Sequence, residues 1–187
     1  MSLTLREAQK ARALVTICRS FGDDGAEEDE DQGFVLSVGD KYALIADIDG
    51  FRHDGFSIIR KDDVARVKYT KYDKFRELVI QVEGHHLAPL PDGFPGPKSC
   101  RRILNFFGKT RDLVILFRET DSDWWRDCCA VLKVKKKVVK VLGFSGAGKW
   151  TKKPTSLKMK EITRMRFGTD YLAHYQRHTA LPSEHYS

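Results

Sequence analysis

The stretch Leu14–Arg19, LVTICR, recurs 99 positions later as Leu113–Arg118, LVILFR. Both runs consist mainly of aliphatic and β-branched residues and end in arginine, which is typical of a short β-strand. The spacing is about half of the 187-residue chain. A strand pattern that returns at this distance indicates an internal duplication, and a duplication determines how every other feature of the sequence is interpreted.

Three further strand-like runs follow the first one, in the same order, in each half of the chain. The pairs are Phe34–Val38 with Ala130–Val134, Lys41–Ile45 with Lys137–Val141, and Asp63–Tyr69 with Glu161–Phe167. The offset changes from 99 to 96 and then to 98, and both changes fall in predicted loops, where insertions cost little. The preserved order predicts two structural repeats.

Each repeat is predicted to contain five short strands preceded by a short helix. The strands are expected near 12–20, 33–39, 41–49, 55–60 and 64–69, and near 112–120, 128–135, 137–143, 155–160 and 162–167. Thr4 and Ser99 are predicted to cap helices over Leu5–Arg12 and Cys100–Phe107, with Gly108 ending the second. One 3₁₀ turn is expected before each fifth strand, and further elements are expected over Tyr72–Val82 (helix or strand) and Asp170–His178 (helix). The fold class predicted is therefore mainly β with a few helices.

A helix and five strands, with a one-turn link before the last strand, resembles the Sm-like and SH3-like small-barrel class. The runs Gly33–Leu36, Asp54–Phe56 and Asp63–Val64 also resemble a group of uncharacterised bacterial proteins. The resemblance implies two tandem five-stranded small barrels, over 1–88 and 99–187, joined by a Pro/Gly linker over 89–98. It implies a fold and no activity, because the Asp/Asn segment and Arg-Gly pair with which Sm proteins bind RNA do not stand in these loops.

Charge divides the chain unevenly. Residues 1–123 carry 19 basic and 22 acidic side chains, whereas residues 124–187 carry 14 basic and 4 acidic ones. The acidic excess of the first part is concentrated in residues 23–31, which are predicted to form a mobile loop because like charges repel one another. The basic excess of the second part predicts a polyanionic partner or a solubilising surface.

A basic surface is predicted on the second repeat. Lys133, Lys135 and Lys137 alternate along a hairpin, so they share one sheet face if Lys136 lies in the turn. Residues that could extend this nucleic-acid or polyanion surface are Lys149, Trp150, Lys152, Lys153, Lys158, Lys160, Arg164 and Arg166. Trp150 could stack on bases. The alternative is a solvated face or a contact with an acidic protein surface.

The segment Gly143–Lys149 fits the pattern G-x-x-x-x-G-K of a phosphate-binding loop. Trp150 stands where the loop of nucleotide-binding enzymes needs a serine or threonine, and Pro154 disfavours the helix that should follow. A strand-connecting loop is therefore predicted. His174 and His178 could share one face of a helix, but no further metal ligands lie near them in the sequence. The prediction is a protein that is not an enzyme and holds no metal or cofactor.

Two functions remain open at the level of sequence. The first is a non-catalytic protein-interaction module, such as an inhibitor or accessory subunit, with Trp124 and Trp125 as candidate partner contacts. The alternative is an RNA- or DNA-binding accessory protein that uses the basic face. The four cysteines match no disulfide framework and no run is long enough to span a bilayer, so reduced thiols and a cytoplasmic location are expected.

Overall fold

The structure is a computed structural model that describes residues 1–21, 27–120 and 123–179. Its strands are Ser2–Leu3 (β1), Leu14–Phe21 (β2), Glu27–Val38 (β3), Tyr42–Asp49 (β4), Arg52–Arg60 (β5), Val64–Lys68 (β6), Val114–Thr120 (β7), Asp123–Val134 (β8), Val138–Gly143 (β9), Thr155–Lys158 (β10) and Arg164–Phe167 (β11). Its helices are Leu5–Ala11 (α1), Lys71–Val82 (α2), Cys100–Thr110 (α3) and Asp170–His178 (α4). The prediction of a mainly β protein with a few helices is confirmed.

All the strands belong to one antiparallel sheet in the order β1-β6-β2-β3-β4-β5-β11-β7-β8-β9-β10. Within this order, the first strand set is β6-β2-β3-β4-β5 and the second strand set is β11-β7-β8-β9-β10. In each set, the strand that comes fifth along the chain lies beside the first, and the second, third and fourth strands follow in order. The sheet is open, with β1 and β10 at its edges. Strand pairing therefore does not divide the described residues into two closed barrels.

Local chemistry accounts for the helix starts. Thr4 and Glu7 form a reciprocal capping box at α1, and the Ser99 side chain accepts a hydrogen bond from the Arg102 amide at α3. The predicted end of α3 at Gly108 is wrong. The helix continues to Thr110 and ends at Arg111, which adopts a left-handed conformation with φ of 63°.

The two strand sets join where β5 pairs with β11. Phe56 lies opposite Phe167, and Ile59 lies opposite Arg164. A Cβ on Gly55 would lie 2.5 Å from the carbonyl oxygen of Phe167, so this position requires glycine for a close approach of two backbones. The junction makes the sheet continuous through both halves of the chain.

The main hydrophobic core also spans both halves. Leu44 and Ile58 from the first strand set pack in the same cluster as Val141 and Met165 from the second and Phe107 from α3. A separate cluster lies between α1 and the first strand set, and smaller clusters lie beneath α2 and α4. The predicted linker over 89–98 contributes to the main core, because Leu90 and Phe94 pack against it.

Part of the predicted acidic loop lies in a strand. Residues 27–31 belong to β3 and pair with residues 17–21 of β2, whereas residues 23–26 lie outside the described residues. Repulsion among the acidic side chains does not prevent strand formation here, because Arg19 and Arg164 bind Asp29 and Asp31 and stabilise the strand.

Candidate polyanion-binding surface

A lysine-rich turn connects β8 to β9. The Lys135 amide donates a hydrogen bond to the Val138 carbonyl at 2.8 Å, which places Lys136 and Lys137 together at the tip of the turn. All three lysines are exposed. Lys137 therefore lies in the turn with Lys136, which corrects its predicted place on one strand face with Lys133 and Lys135.

Lys140 is a basic residue of this surface that the sequence-based prediction missed. It lies directly opposite Lys133 in the β8–β9 pair, and both side chains are exposed. The pairing follows from the position of the turn, because residues 136 and 137 form its tip and residue 135 then lies opposite residue 138. The sequence-based prediction has Lys137 on the strand, which does not give this register. Two like charges directly opposite each other destabilise a sheet, so this pair does not serve the stability of the fold.

The turn and the end of β10 enclose a groove, hereafter the lysine groove. Its backbone is held by the Met159 amide, which donates to the Lys137 carbonyl at 3.0 Å. The groove has a volume of about 580 Å³ and is lined by Lys136, Lys137, Val138, Lys158, Met159 and Lys160. Four lysines and two apolar residues thus line the groove, and none of the described aromatic residues lines it.

The first strand set has the same backbone arrangement with different charges. The Gly39 amide donates to the Tyr42 carbonyl at 2.8 Å, and the Lys61 amide donates to the Lys41 carbonyl at 2.9 Å. The positions equivalent to Lys136, Lys137, Lys158 and Lys160 hold Asp40, Lys41, Arg60 and Asp62, so acidic residues replace two of the four lysines. The Lys61 ammonium group donates to the Gly39 and Asp40 carbonyls, at 3.1 and 2.9 Å. The fold therefore does not require the lysines of the second strand set.

Few acidic groups neutralise the lysine groove. Lys158 contacts Glu161 at 3.1 Å, and this hydrogen bond lowers the pKa of the Glu161 carboxyl. Within the described part of the chain, Lys133, Lys136, Lys137, Lys140 and Lys160 form no ion pair. Their charges remain available to an anionic ligand.

Four predicted residues lie elsewhere. Lys149, Trp150, Lys152 and Lys153 belong to the connection between β9 and β10, at the far end of those strands from the lysine groove. The six residues of β9 separate the two ends by about 17–20 Å. The Trp150 ring is half-buried and lies 5.3 Å from the Phe144 ring, so the predicted stacking residue does not lie beside the groove.

Arg164 does not belong to an exposed basic surface, so its assignment there is corrected. Its side chain is buried at the junction of the two strand sets, where it binds Asp31 at 2.5 Å and Glu119 at 2.8 Å. Arg19 is fully buried beside it and binds the same two carboxylates, at 2.6 and 2.7 Å. Asp29 completes this group, hereafter the buried charge network, at 2.7 Å from Arg19.

Mutual neutralisation explains how the buried charge network tolerates burial. Burial acts to lower the pKa of Arg19, but Glu119, Asp31 and Asp29 together raise it above its ordinary value. Burial likewise acts to raise the pKa of Glu119. The hydrogen bonds from Arg19 and Thr163 and the positive charge of Arg164 outweigh that effect and lower it.

Arg166 is also engaged within the molecule, which corrects its assignment to the basic surface. It binds Asp47 at 3.0 Å and Asp54 at 3.2 Å, across the β5–β11 junction. The Ser57 hydroxyl donates to Asp47 at 2.6 Å. Burial nevertheless raises the pKa of Asp47 to about 7, despite the opposing effects of Arg166 and Ser57.

The segment Gly143–Lys149 connects β9 towards β10, and its amide groups bond within the loop. Ser145 donates to the Lys149 carbonyl and Gly148 donates to the Ser145 carbonyl, at 2.9 and 2.8 Å. The Lys149 amide donates to the Ser145 hydroxyl at 3.3 Å. The element that follows is strand β10, whereas a phosphate-binding loop precedes a helix.

The remaining candidates lie apart from the groove. Trp125 is half-buried against the main core, and the Trp124 side chain lies outside the described residues. Cys18, Cys100, Cys128 and Cys129 are free thiols. Among the described residues, no cluster of three or more His, Cys, Asp or Glu side chains could hold a metal ion. None of the described helices combines the length and apolar character needed to cross a bilayer.

No protein-family profile, curated protein sequence or solved structure matches this chain.

Proposed function

We propose that the chain is a non-catalytic binding module whose ligand is nucleic acid, held by its phosphates in the lysine groove. The observation that carries the proposal is the difference between two equivalent places in the sheet. Four lysines line the groove beside the β8–β9 turn, whereas the first strand set has aspartate in place of Lys136 and Lys160 and basic residues in place of the other two. A charge difference that the fold does not require indicates a surface that binds a charged ligand.

We also propose that the two strand sets are diverged copies of one small barrel of the Sm-like or SH3-like class. The shared strand order supports this, as do the 3₁₀ turns over Lys61–Asp63 and Met159–Glu161 before the two fifth strands. Each set also follows one helix and precedes another. In this view the second copy carries the ligand site and the first copy provides much of its structural support.

The chemistry of the groove favours recognition of the backbone rather than of bases. Lysine is a compact point charge that contacts phosphate without reading sequence. In the part of the chain that the structure describes, the lining contains only Val138 and Met159 besides the lysines, so no aromatic ring is placed there for stacking. Binding is therefore expected to depend strongly on salt and weakly on sequence.

Fluorescence anisotropy with mixed-sequence single-stranded RNA of about eight nucleotides tests the proposal. The wild-type affinity is expected to fall as the salt concentration rises. The variant Lys136→Glu/Lys137→Glu/Lys160→Glu is expected to bind at least about tenfold more weakly, with a salt slope reduced by about one unit per lost phosphate contact.

The matched control changes three exposed lysines at the other end of β9 and β10, in Lys149→Glu/Lys152→Glu/Lys153→Glu. It alters the net charge equally and is expected to retain most of the affinity. Equal loss in both variants would show a diffuse charge effect and contradict a groove. An acidic peptide that competes as well as RNA would show that the ligand is a protein instead.

A second candidate function, protein–protein interaction, is favoured by a different surface. Helix α2 exposes Tyr72, Phe75, Leu78 and Val82, with 68, 60, 56 and 77% of each residue accessible. Exposed apolar side chains that follow one helix commonly bind a partner protein. The variant Phe75→Asp is expected to abolish such a complex. The measurement is co-elution: the partner should elute with the wild-type chain and not with the variant.

A further inference from the structure

Helix α2 exposes large apolar side chains and turns two carboxylates towards the sheet. Its inward face carries polar groups beside the buried Ile80, because Asp73 is buried and accepts hydrogen bonds from Thr16 and Gln32, both at 2.8 Å. Glu77 also turns towards the sheet and accepts from the Leu14 amide at 3.2 Å. The large apolar side chains lie on the outward face, opposite to the arrangement in a helix that only covers its own core.

The equivalent helix of the second half does not share this feature. Helix α4 also follows the fifth strand of its set, yet Tyr171 is its only strongly exposed large apolar residue within the described range. Its other exposed positions are Asp170, Ala173, His174, Gln176, Arg177 and His178. An apolar outward face is therefore not a consequence of this position in the fold.

The exposed residues at the two ends of α2 are complementary to each other. Lys71 begins the helix, and Glu83, which is exposed, directly follows it. In an antiparallel pair of α2 helices centred near Glu77, Lys71 of one copy would lie opposite Glu83 of the other, and Tyr72 would lie opposite Val82. The helix dipoles would also oppose each other favourably. A two-fold interface requires this kind of self-complementary surface.

We propose that α2 is a homodimer interface, in which two copies of the chain pack their α2 helices antiparallel through Tyr72, Phe75, Leu78 and Val82. This inference rests on the second candidate function and names the partner. Four side chains per copy would bury a total of about 1,000 Å², near the lower limit for a specific interface. A weak, concentration-dependent dimer is therefore expected.

Sedimentation velocity of the full chain from micromolar concentration to about 500 µM tests the interface. The wild-type chain is expected to dimerise, and Phe75→Asp is expected to raise the dissociation constant at least about tenfold. Phe51→Asp is the matched control, because Phe51 is an exposed phenylalanine on the β4–β5 turn, and it should dimerise like the wild type. Circular dichroism checks that both variants are folded.

Charge reversal tests the antiparallel arrangement. Lys71→Glu and Glu83→Lys should each weaken the dimer, and the double variant should recover the affinity of the wild type. A double variant no better than the single ones, or a dimer unaffected by Phe75→Asp, would overturn the proposal.

A wild-type chain that remains monomeric would overturn it as well. If the monomeric wild type but not Phe75→Asp then bound a different protein, the protein-interaction function would survive without the homodimer. If neither bound any protein, both would fail.

Discussion

At the scale of single residues, the buried charge network of Arg19, Arg164, Asp29, Asp31 and Glu119 constrains the molecule most strongly. Glu119 is fully buried and contacts both arginines across the two strand sets. Replacing it with glutamine removes the fully buried carboxylate that both arginines contact and leaves the more exposed Asp29 and Asp31 as their counter-charges. Breaking a buried ion pair in this way typically costs about 3–5 kcal/mol. We expect Glu119→Gln to lower the free energy of unfolding by an amount in that range, measured by urea denaturation.

Glu161→Gln is the matched control for this prediction. Glu161 also contacts two basic residues, Lys158 and Arg118, but near the surface, where water screens the charges. Its stability should remain close to that of the wild type. Equal destabilisation of both variants would contradict a special role for the buried network.

The Asp47 carboxyl group should make the free energy of unfolding depend on pH, with a sign opposite to that given by an ordinary salt-bridged carboxylate. Burial raises its pKa from an ordinary 3.8 to about 7 in the folded chain. Between these values the unfolded chain has released the proton and the folded chain retains it, so stability falls as pH rises from about 4 to 7. The slope is at most about 1.4 kcal/mol per pH unit.

The variant Asp47→Asn removes this contribution, since asparagine does not titrate. We expect its stability relative to the wild type to increase steadily from pH 4 to pH 7, measured by denaturation at fixed pH values. Asp49→Asn, at an exposed position two residues away, should follow the wild-type profile. An Asp47→Asn profile parallel to that of the wild type would show that burial does not control this carboxyl group.

At the scale of elements, the β5–β11 pair holds the two strand sets together. Gly55 and Gly50 both have positive φ, of 78° and 62°, so alanine is strained at either position by about 1–2 kcal/mol. A Cβ at Gly55 would also meet the backbone of β11, whereas a Cβ at Gly50 would meet nothing within 4 Å. We expect Gly55→Ala to be clearly more destabilising than Gly50→Ala in thermal unfolding. Equal losses would contradict a tight junction.

Local patterns predict the elements well, because strand alternation and helix caps depend on neighbouring residues. The 3₁₀ turns and the α1 capping box could therefore be predicted from sequence. The end of α3 could not, because Arg111 and not Gly108 adopts the left-handed conformation that ends the helix, and glycine is the usual residue for it. The lysine surface was predicted only in part, since the position of the turn sets the register of Lys140 and Trp150 lies at the opposite end of β9 from the groove.

Long-range pairing explains the incorrect assignments. Arg164 reads as a surface base in its own segment, yet its partner Asp31 lies 133 positions away in the sequence. The fate of Asp29 and Asp31 likewise depends on arginines outside their own strand. No local pattern contains that information. Arg164, a residue of the predicted basic face, meets Asp29 and Asp31 of the predicted acidic loop only when the two halves assemble into one sheet.

At the scale of the whole molecule, the shared core predicts a single unfolding transition. Leu44 and Ile58 would lose their packing partners if the second half unfolded alone. All three tryptophans lie in the second half, so their fluorescence reports on that half, whereas far-UV circular dichroism reports on the whole chain. The two signals should give coincident urea transitions. Fluorescence and circular dichroism midpoints that differ would show that the halves unfold independently.

The most direct test of the proposed nucleic-acid function is a map of amide chemical-shift changes in the ¹⁵N-labelled chain during titration with short single-stranded RNA. We predict saturable chemical-shift changes concentrated in residues 133–140 and 156–160, with little change in the first strand set or in α2. Shifts that are absent, or that lie mainly in the loop over 144–153 or in the first strand set, would contradict the lysine groove as the binding site.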